Sequence, residues 1–201
     1  MNDNNVIIIL APHTDDGELG MGGTIVKYLE LGKKIYYIAF SAPREILKEE
    51  LRNATKMLGI PQEQVILYDF PVRKFSYNRQ DILEELVKIR KDLQPDMVFL
   101  PSSHDLHQDH KTISEEGIRA FKRDSLLAYE LPWNNIVFQT QCFSVLEERH
   151  IKKKIDALFC YNSQKHRNYL NEEFIRGLAI ARGVQIQEKY AEVFEVIRWK
   201  I

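Results

Sequence analysis

Val6-Ile7-Ile8-Ile9-Leu10-Ala11-Pro12-His13-Thr14-Asp15-Asp16-Gly17 is the stretch on which the fold of this chain turns. Residues 6–11 are apolar at every position and Pro12 closes the run. An apolar run without alternation fits a strand covered on both faces, as in a parallel sheet, and makes this the expected central strand. Outward from it, residues 22–31 place Ile25, Tyr28 and Leu29 at helical spacing, with Gly32 as a stop. An apolar run at 35–40, a helix pattern at 45–58 closed by Gly59, and a run at 65–68 follow as strand, helix and strand. A helix is expected at 80–93 before Pro95, and a strand at 97–100 before Pro101. Strands alternating with helices imply right-handed crossovers, hence a doubly wound, mostly parallel α/β sheet ordered 3-2-1-4-5. Beyond residue 124 the pattern loosens, with helices expected near 147–159 and 171–182 and a strand near 190–199.

The length of 201 residues and a hydrophobic content of 44% suit one domain with a substantial core, so a single domain is expected over 1–201. No repeat or Gly/Ser/Pro-rich linker divides the chain. Basic and acidic residues number 28 and 29, a net charge of −1, so no whole-chain field draws it to nucleic acid or an anionic membrane. Two cysteines, Cys142 and Cys160, are too few for a disulfide framework and suit a reducing compartment. The start MNDNN lacks the charged leader of a signal peptide, and the apolar run after it is too short for a membrane span. A cytoplasmic protein is the expectation.

Chemistry-bearing residues gather in two loops. After the first strand, Pro12-His13-Thr14-Asp15-Asp16-Gly17-Glu18 puts an imidazole and two carboxylates within four positions. Imidazole nitrogen and carboxylate oxygen are ordinary zinc ligands, although Asp and Gly after a strand also make plain turns and helix caps. After the fourth strand, Ser102-Ser103-His104-Asp105-Leu106-His107-Gln108-Asp109-His110 holds three of the six histidines. That loop offers a metal ligand, a general acid or oxyanion donor, and a carboxylate to orient a ring. Its plainer alternative is a polar loop capping a helix that starts near Lys111.

In the expected sheet the first and fourth strands are neighbours at the point where the strand order reverses, and their carboxyl ends frame the usual ligand crevice. Both loops lie at those ends. Two histidines and a carboxylate leave a tetrahedral zinc with a position open to water, which is a hydrolytic rather than a structural arrangement.

The sequence His13-x-Asp15-Asp16 with Gly22-Gly23 downstream, and His107-x-Asp109-His110 after a later strand, resembles the LmbE-like (PIG-L) zinc N-deacetylases. Supporting matches are Glu50-x-x-x-Ala54-x-x-x-Leu58-Gly59, Lys154-x-x-Ala157-Leu158, Ser163-Gln164, Arg182-Gly183 and Tyr190-Ala191-Glu192-x-Phe194. The resemblance spans nearly the whole chain and implies a Rossmann-like fold and hydrolysis of N-acetyl groups on glucosamine-containing sugars and conjugates. It implies Zn2+ on His13, Asp16 and His110, with Asp15 as general base. His107 would stabilise the oxyanion and protonate the departing amine, with Asp109 holding it charged. An oligomer of identical chains is also implied.

The chain departs from the family where Thr14 replaces proline, Gly17 an acidic residue and Tyr161 a histidine. A basic residue common three positions before the Glu50 counterpart is here Leu47, and Arg44 or Lys48 is the substitute expected to grip the sugar. His150 and His166 lie in charged stretches and are expected to be exposed and without a catalytic part. The aromatic residues Trp133, Phe138 and Phe143 suit a core or an interface, with Trp133 able to line the site mouth. Glycines 17, 20, 22 and 23 miss the spacing of a dinucleotide loop, and no acidic residue closes the second strand at Ser41. The alternative to an enzyme is a nucleotide-binding or metal-bound sugar-binding module without turnover.

Overall fold

The computed structural model describes residues 6–201, so the polar start at 1–5 lies outside the described residues. The apolar run becomes β1 (Val6–His13), and its side chains alternate between two buried clusters: Ile7, Ile9 and Ala11 in one, Ile8 and Leu10 in the other. A strand without a polar face has to be central. β1 pairs in parallel with β2 (Lys34–Ser41) on one side and with β4 (Met97–Pro101) on the other. Outside these lie β3 (Val65–Leu67) and β5 (Ser125–Tyr129), also parallel, which gives the expected order 3-2-1-4-5.

The expected terminal strand and one strand that was not expected, β6 (Cys142–Leu146), extend the sheet beyond that order. β7 (Tyr190–Arg198) runs antiparallel between β5 and β6, so the full order is β3-β2-β1-β4-β5-β7-β6. β5 and β6 are five-residue strands with no local turn signal to set them off, so only pairing with neighbours distant in sequence defines them.

One face of the sheet carries α1 (Asp16–Glu30), α2 (Glu45–Leu58), α5 (Glu148–Leu158) and α6 (Glu172–Val184), and the other carries α3 (Arg79–Leu93) and α4 (Gln108–Ala120). α2 shows how the sequence builds such a helix: Leu47, Glu50, Leu51, Ala54 and Leu58 are buried along one stripe, and Gly59 ends it with φ 99. Only glycine adopts that left-handed backbone without a steric cost. The buried polar member of the stripe, Glu50, accepts bonds from the backbone N–H (2.8 Å) and hydroxyl (2.6 Å) of Ser163.

α1 differs from the expectation, because helical structure begins at Asp16 rather than at 22 and passes through a break at Met21 (φ −150, ψ 24). The backbone groups freed there find tertiary partners. Glu192 on β7 accepts the N–H of Gly23 at 3.0 Å and of Thr24 at 2.7 Å, while Lys154 on α5 donates to the Leu19 carbonyl and to Glu192, both at 2.7 Å. A Cβ at Gly22 or Gly23 would stand 2.9 Å from the Lys154 Cγ or 2.6 Å from the Leu146 Cδ1, so both positions need glycine for close approach. α1, whose first turn carries Asp16, is thereby fastened at its break to β7 and α5.

His150 is buried rather than exposed. Its Nδ1 accepts the Glu147 N–H at 2.9 Å, completing a capping box at the start of α5, and its Nε2 lies 3.0 Å from Glu30. Its role is structural. Among the described residues no helix is long and apolar enough to cross a membrane, and Cys142 and Cys160 are both free thiols.

Candidate active site

The strand order reverses between β1 and β4, and the two chemistry-bearing loops meet there. His13 is the last residue of β1, Asp16 opens α1, His107 caps α4, and His110 sits in the first turn of α4. Three donor atoms converge: His13 Nδ1 lies 3.1 Å from His110 Nε2, and Asp16 Oδ2 lies 3.2 Å from each of them. Asp16 is aimed by the His13 backbone N–H, which donates to Oδ2 at 2.8 Å.

The remaining nitrogen of each ring meets a carboxylate. His13 Nε2 is 3.1 Å from Asp109 Oδ2, and His110 Nδ1 is 2.7 Å from Asp105 Oδ2. A carboxylate on the far nitrogen fixes the tautomer and turns the other lone pair to the centre, as in histidines that bind metals. Tetrahedral zinc with ligand bonds of about 2.0 Å separates its ligand atoms by roughly 3.3 Å. Edges of 3.1 and 3.2 Å therefore fit such an ion with little adjustment. A wider group of His13, His107 and His110, with one nitrogen from each within 4.8 Å of the others, also meets the requirements of a metal site. His107 Nδ1, however, already accepts the Asp109 N–H at 3.2 Å as the cap of α4.

Electrostatics follow from this crowding. Burial opposes charge on His13, yet its bonds to Asp109 and Asp16 prevail and raise its pKa to about 9 in the metal-free site. Burial likewise opposes charge on His110, but Asp16 and Asp105 bring it to about 10. Asp16 is held well below the usual carboxylate range: the two imidazoles overcome its burial. Asp15, which lines the cleft beside it, is pushed up to about 6 by burial and by the Asp16 charge.

Asp109 departs from its expected place beside His107. Its carboxylate takes His13 Nε2 and the backbone N–H groups of Arg73 (2.6 Å) and Phe75 (3.3 Å), because a helix residue two positions past the cap faces the sheet rather than the cap. The His107 pKa is lowered, by burial and then by the neighbouring His110 and His13. With Nδ1 accepting a backbone bond, the neutral ring carries its proton on Nε2 and is a hydrogen-bond donor there.

Asp105 was not among the candidate residues. Its Oδ1 accepts the His107 N–H at 2.8 Å, while Oδ2 holds His110. An Asp bonded to the N–H two positions on is an Asx-turn pattern, and that local signal was present in the loop. Beneath the first loop lies a buried group with no sequence signature. The Tyr37 and Tyr161 hydroxyls each lie within hydrogen-bond reach of both the Thr14 carbonyl and the Glu18 carboxyl, and the Tyr37 hydroxyl accepts the Gly17 N–H at 3.1 Å. Burial pushes Glu18 up to about 8 although both hydroxyls oppose the shift.

An open cleft of ≈ 980 Å³ leads to the centre and is lined by Asp15, Asp16, His13, His107 and His110 at one end. Arg73, Arg167, Asn134 and the Trp133–Tyr169 pair line it elsewhere, the two aromatic rings stacked with centroids 4.0 Å apart. Arg44 is not among the lining residues. It is exposed at the start of α2, and Lys48 pairs with Asp69 at 3.2 Å. The basic groups of the cleft are Arg73 and Arg167.

Comparison with known proteins identifies the family. The model of the family described as PIG-L, GlcNAc-PI de-N-acetylase, matches residues 8–121, which include both loops. The chain is 28% identical over 169 residues to the uncharacterized deacetylase YaiS of Escherichia coli, covering 78% of this chain and 90% of that protein. It is 26% identical over 153 residues to the diacetylchitobiose deacetylase of Thermococcus kodakarensis, covering 63% of this chain and 56% of that one. The structure also superposes on GalB, the 4-carboxy-2-hydroxymuconate hydratase of Pseudomonas putida, with a TM-score of 0.81 at 20% identity over 98% of each chain. That last likeness is one of fold alone. The family match and the two deacetylase relatives, taken with the paired loops at the head of β1 and β4, establish that this chain belongs to the PIG-L (LmbE-like) family.

Proposed function

We propose that the chain is a zinc-dependent N-deacetylase that hydrolyses the acetamide of an N-acetylglucosamine-like sugar or conjugate. The observation that carries this is the triangle of His13 Nδ1, His110 Nε2 and Asp16 Oδ2, each imidazole backed by its own carboxylate. Bound there, zinc supplies the charge that acidifies a water toward a pKa of about 7 and polarises a carbonyl.

The chain's own residues divide the remaining work. Asp15 stands in the cleft wall next to Asp16, and its proton affinity near neutrality suits a general base that takes a proton from the attacking water. His107 lines the same end and offers Nε2–H to the amide oxygen as negative charge develops on it. A neutral His107 has no spare proton for the leaving group. Asp15, having taken the proton of the water, passes it to the amine nitrogen as the C–N bond breaks, so acetate and a free amine leave. The family resemblance alone implied a charged His107 in that part. Its lowered pKa and its backbone bond at Nδ1 favour the neutral donor.

A binding module without turnover would require the metal triad but neither Asp15 nor His107 beside it. The test is to load the purified protein with zinc and measure acetate and free amine from a panel of N-acetylated amino sugars and their glycosides. Amine release that follows zinc occupancy is expected. Stoichiometric zinc with no release from any member of the panel would favour the binding module.

A further inference from the structure

Asp15 opens α1 but does not cap it. A carboxylate at this position ordinarily accepts the N–H of the second or third residue of the helix. Here the Asp15 side chain accepts no bond from the helix, and its backbone, at φ −104 and ψ −9, lies outside the extended region from which cap side chains reach back. The carboxylate lines the cleft instead.

The N–H that Asp15 forgoes is taken by another element. Gly17, the second residue of α1, donates to the Tyr37 hydroxyl of β2 at 3.1 Å. A Cβ at Gly17 would stand 2.6 Å from Tyr37 Cε2 and 2.7 Å from its hydroxyl, so the phenol reaches the N–H only because residue 17 is glycine. The peptide before Asp15 is held as well. The Thr14 carbonyl lies 2.5 Å from the Tyr161 hydroxyl, and since a carbonyl oxygen only accepts, Tyr161 is the donor. Glu18 lies against both hydroxyls, 2.7 Å from that of Tyr161. Tyr37, Tyr161 and Glu18 are fully buried, so water does not compete for these bonds. Gly17 and Tyr161 are two of the positions at which this chain departs from the pattern of its family, and in the structure they serve one arrangement.

We propose that Tyr37 and Tyr161 are positioning residues for Asp15. Tyr37 stands in as the cap of α1 and Tyr161 pins the Thr14–Asp15 peptide, which together leave the carboxylate free to face the reacting water. Neither tyrosine lines the cleft, so both act through Asp15. Their part in catalysis rests on Asp15 being the general base of the proposed deacetylase.

The test uses zinc-loaded Tyr37→Phe and Tyr161→Phe with the best substrate of the N-acetylated amino sugar panel. In each, kcat is expected to fall by on the order of 10- to 100-fold, short of the loss from removing the base itself, with KM and zinc affinity unchanged. In an Asp15→Asn background the same substitutions should change kcat by less than about twofold, because the group they position is gone. A merely structural loss would multiply in both backgrounds. Crystal structures of the wild type and of both variants give a readout that needs no turnover. In Tyr37→Phe the Asp15 carboxylate is expected to turn from the cleft to the N–H of Gly17 or Glu18, at about 3 Å, and in Tyr161→Phe to leave its place in the cleft wall. Should Tyr37→Phe not fold, Tyr161→Phe, which keeps the surrogate cap, carries both measurements. Wild-type kcat in a variant, or a fall undiminished in the Asp15→Asn background, overturns the role of that tyrosine and leaves the deacetylase standing. No turnover by the wild type overturns the deacetylase; the tyrosines are then judged on the structures alone, where an Asp15 carboxylate still in place in both variants overturns the positioning.

Discussion

The Asp105 carboxylate lies 2.7 Å from Nδ1 of His110, while Nε2 of the same ring faces Asp16 and His13. One carboxylate therefore decides which nitrogen of His110 is free for a metal. Replacing Asp105 with Ala should weaken zinc binding by about 10- to 100-fold, the usual effect of removing such a partner, with the fold retained. Competition against a chromophoric chelator measures it. Unchanged affinity would show that His110 needs no orienting group.

Asp15 is predicted to be the only group carrying a proton from water to amine. Asp15→Asn should fold and bind zinc, yet lose on the order of 10²–10⁴ in kcat. In the wild type the rate should rise with pH as Asp15 loses its proton, with a midpoint at or below its metal-free value of about 6, and this limb should be absent in Asp15→Asn. His107→Ala should lose about 10²–10³ in kcat with metal retained. If the rate instead fell on the alkaline side in a way that His107→Ala abolished, the charged form of His107 would be the working one.

Metal loading should release protons. In the metal-free protein His13 and His110 titrate at about 9 and about 10, so both rings are charged near neutral pH and must give up protons to bind zinc. About two protons per ion are expected at pH 7, read from calorimetry in buffers of different ionisation enthalpy, and zinc affinity should rise with pH until those values are passed. The sign for stability is opposite. Both pKa values lie above that of a free imidazole, so their contribution to the stripped protein is complete below about 6.5 and is lost as pH rises through 9–10. A zinc affinity independent of pH across the neutral range would mean that the rings are already neutral.

Glu192 and Lys154 should matter to the site although neither lines the catalytic end of the cleft. Both are buried, and together they close the backbone gap at Met21 of α1. Glu192→Ala leaves a buried lysine and two backbone N–H groups unpaired and should cost about 3–5 kcal/mol in urea unfolding. Because Asp16 rides on the turn before that break, metal affinity should fall with it. A cost below about 1 kcal/mol would mean that α1 keeps its break without the pair.

Much of this molecule was legible along the chain because its information is local. The unbroken apolar run at 6–11 requires a strand with two covered faces, and the alternating helix patterns that follow allow few ways to wind a parallel sheet around it. Once β1 and β4 are adjacent, the loops after them have to meet, which is why the His13 loop and the His107–His110 loop could be paired across nearly a hundred residues of sequence, while the choice of His13, Asp16 and His110 within them came with the family resemblance. What lay outside the sequence's reach depends on direction. Asp109 was expected on His107 and stands on His13, since helix phase rather than proximity in sequence aims a side chain. Arg44 was expected to grip substrate and is not among the residues lining the cleft, whereas Arg73, whose backbone N–H is held by Asp109, is. The early start of α1 was hidden by its glycines, which read as breakers until Lys154 and Glu192, far along the chain, supply the missing partners. Residue type and spacing are written into the chain one position at a time; the aim of a carboxylate or a guanidinium is set only when distant segments pack and satisfy each other's polar groups.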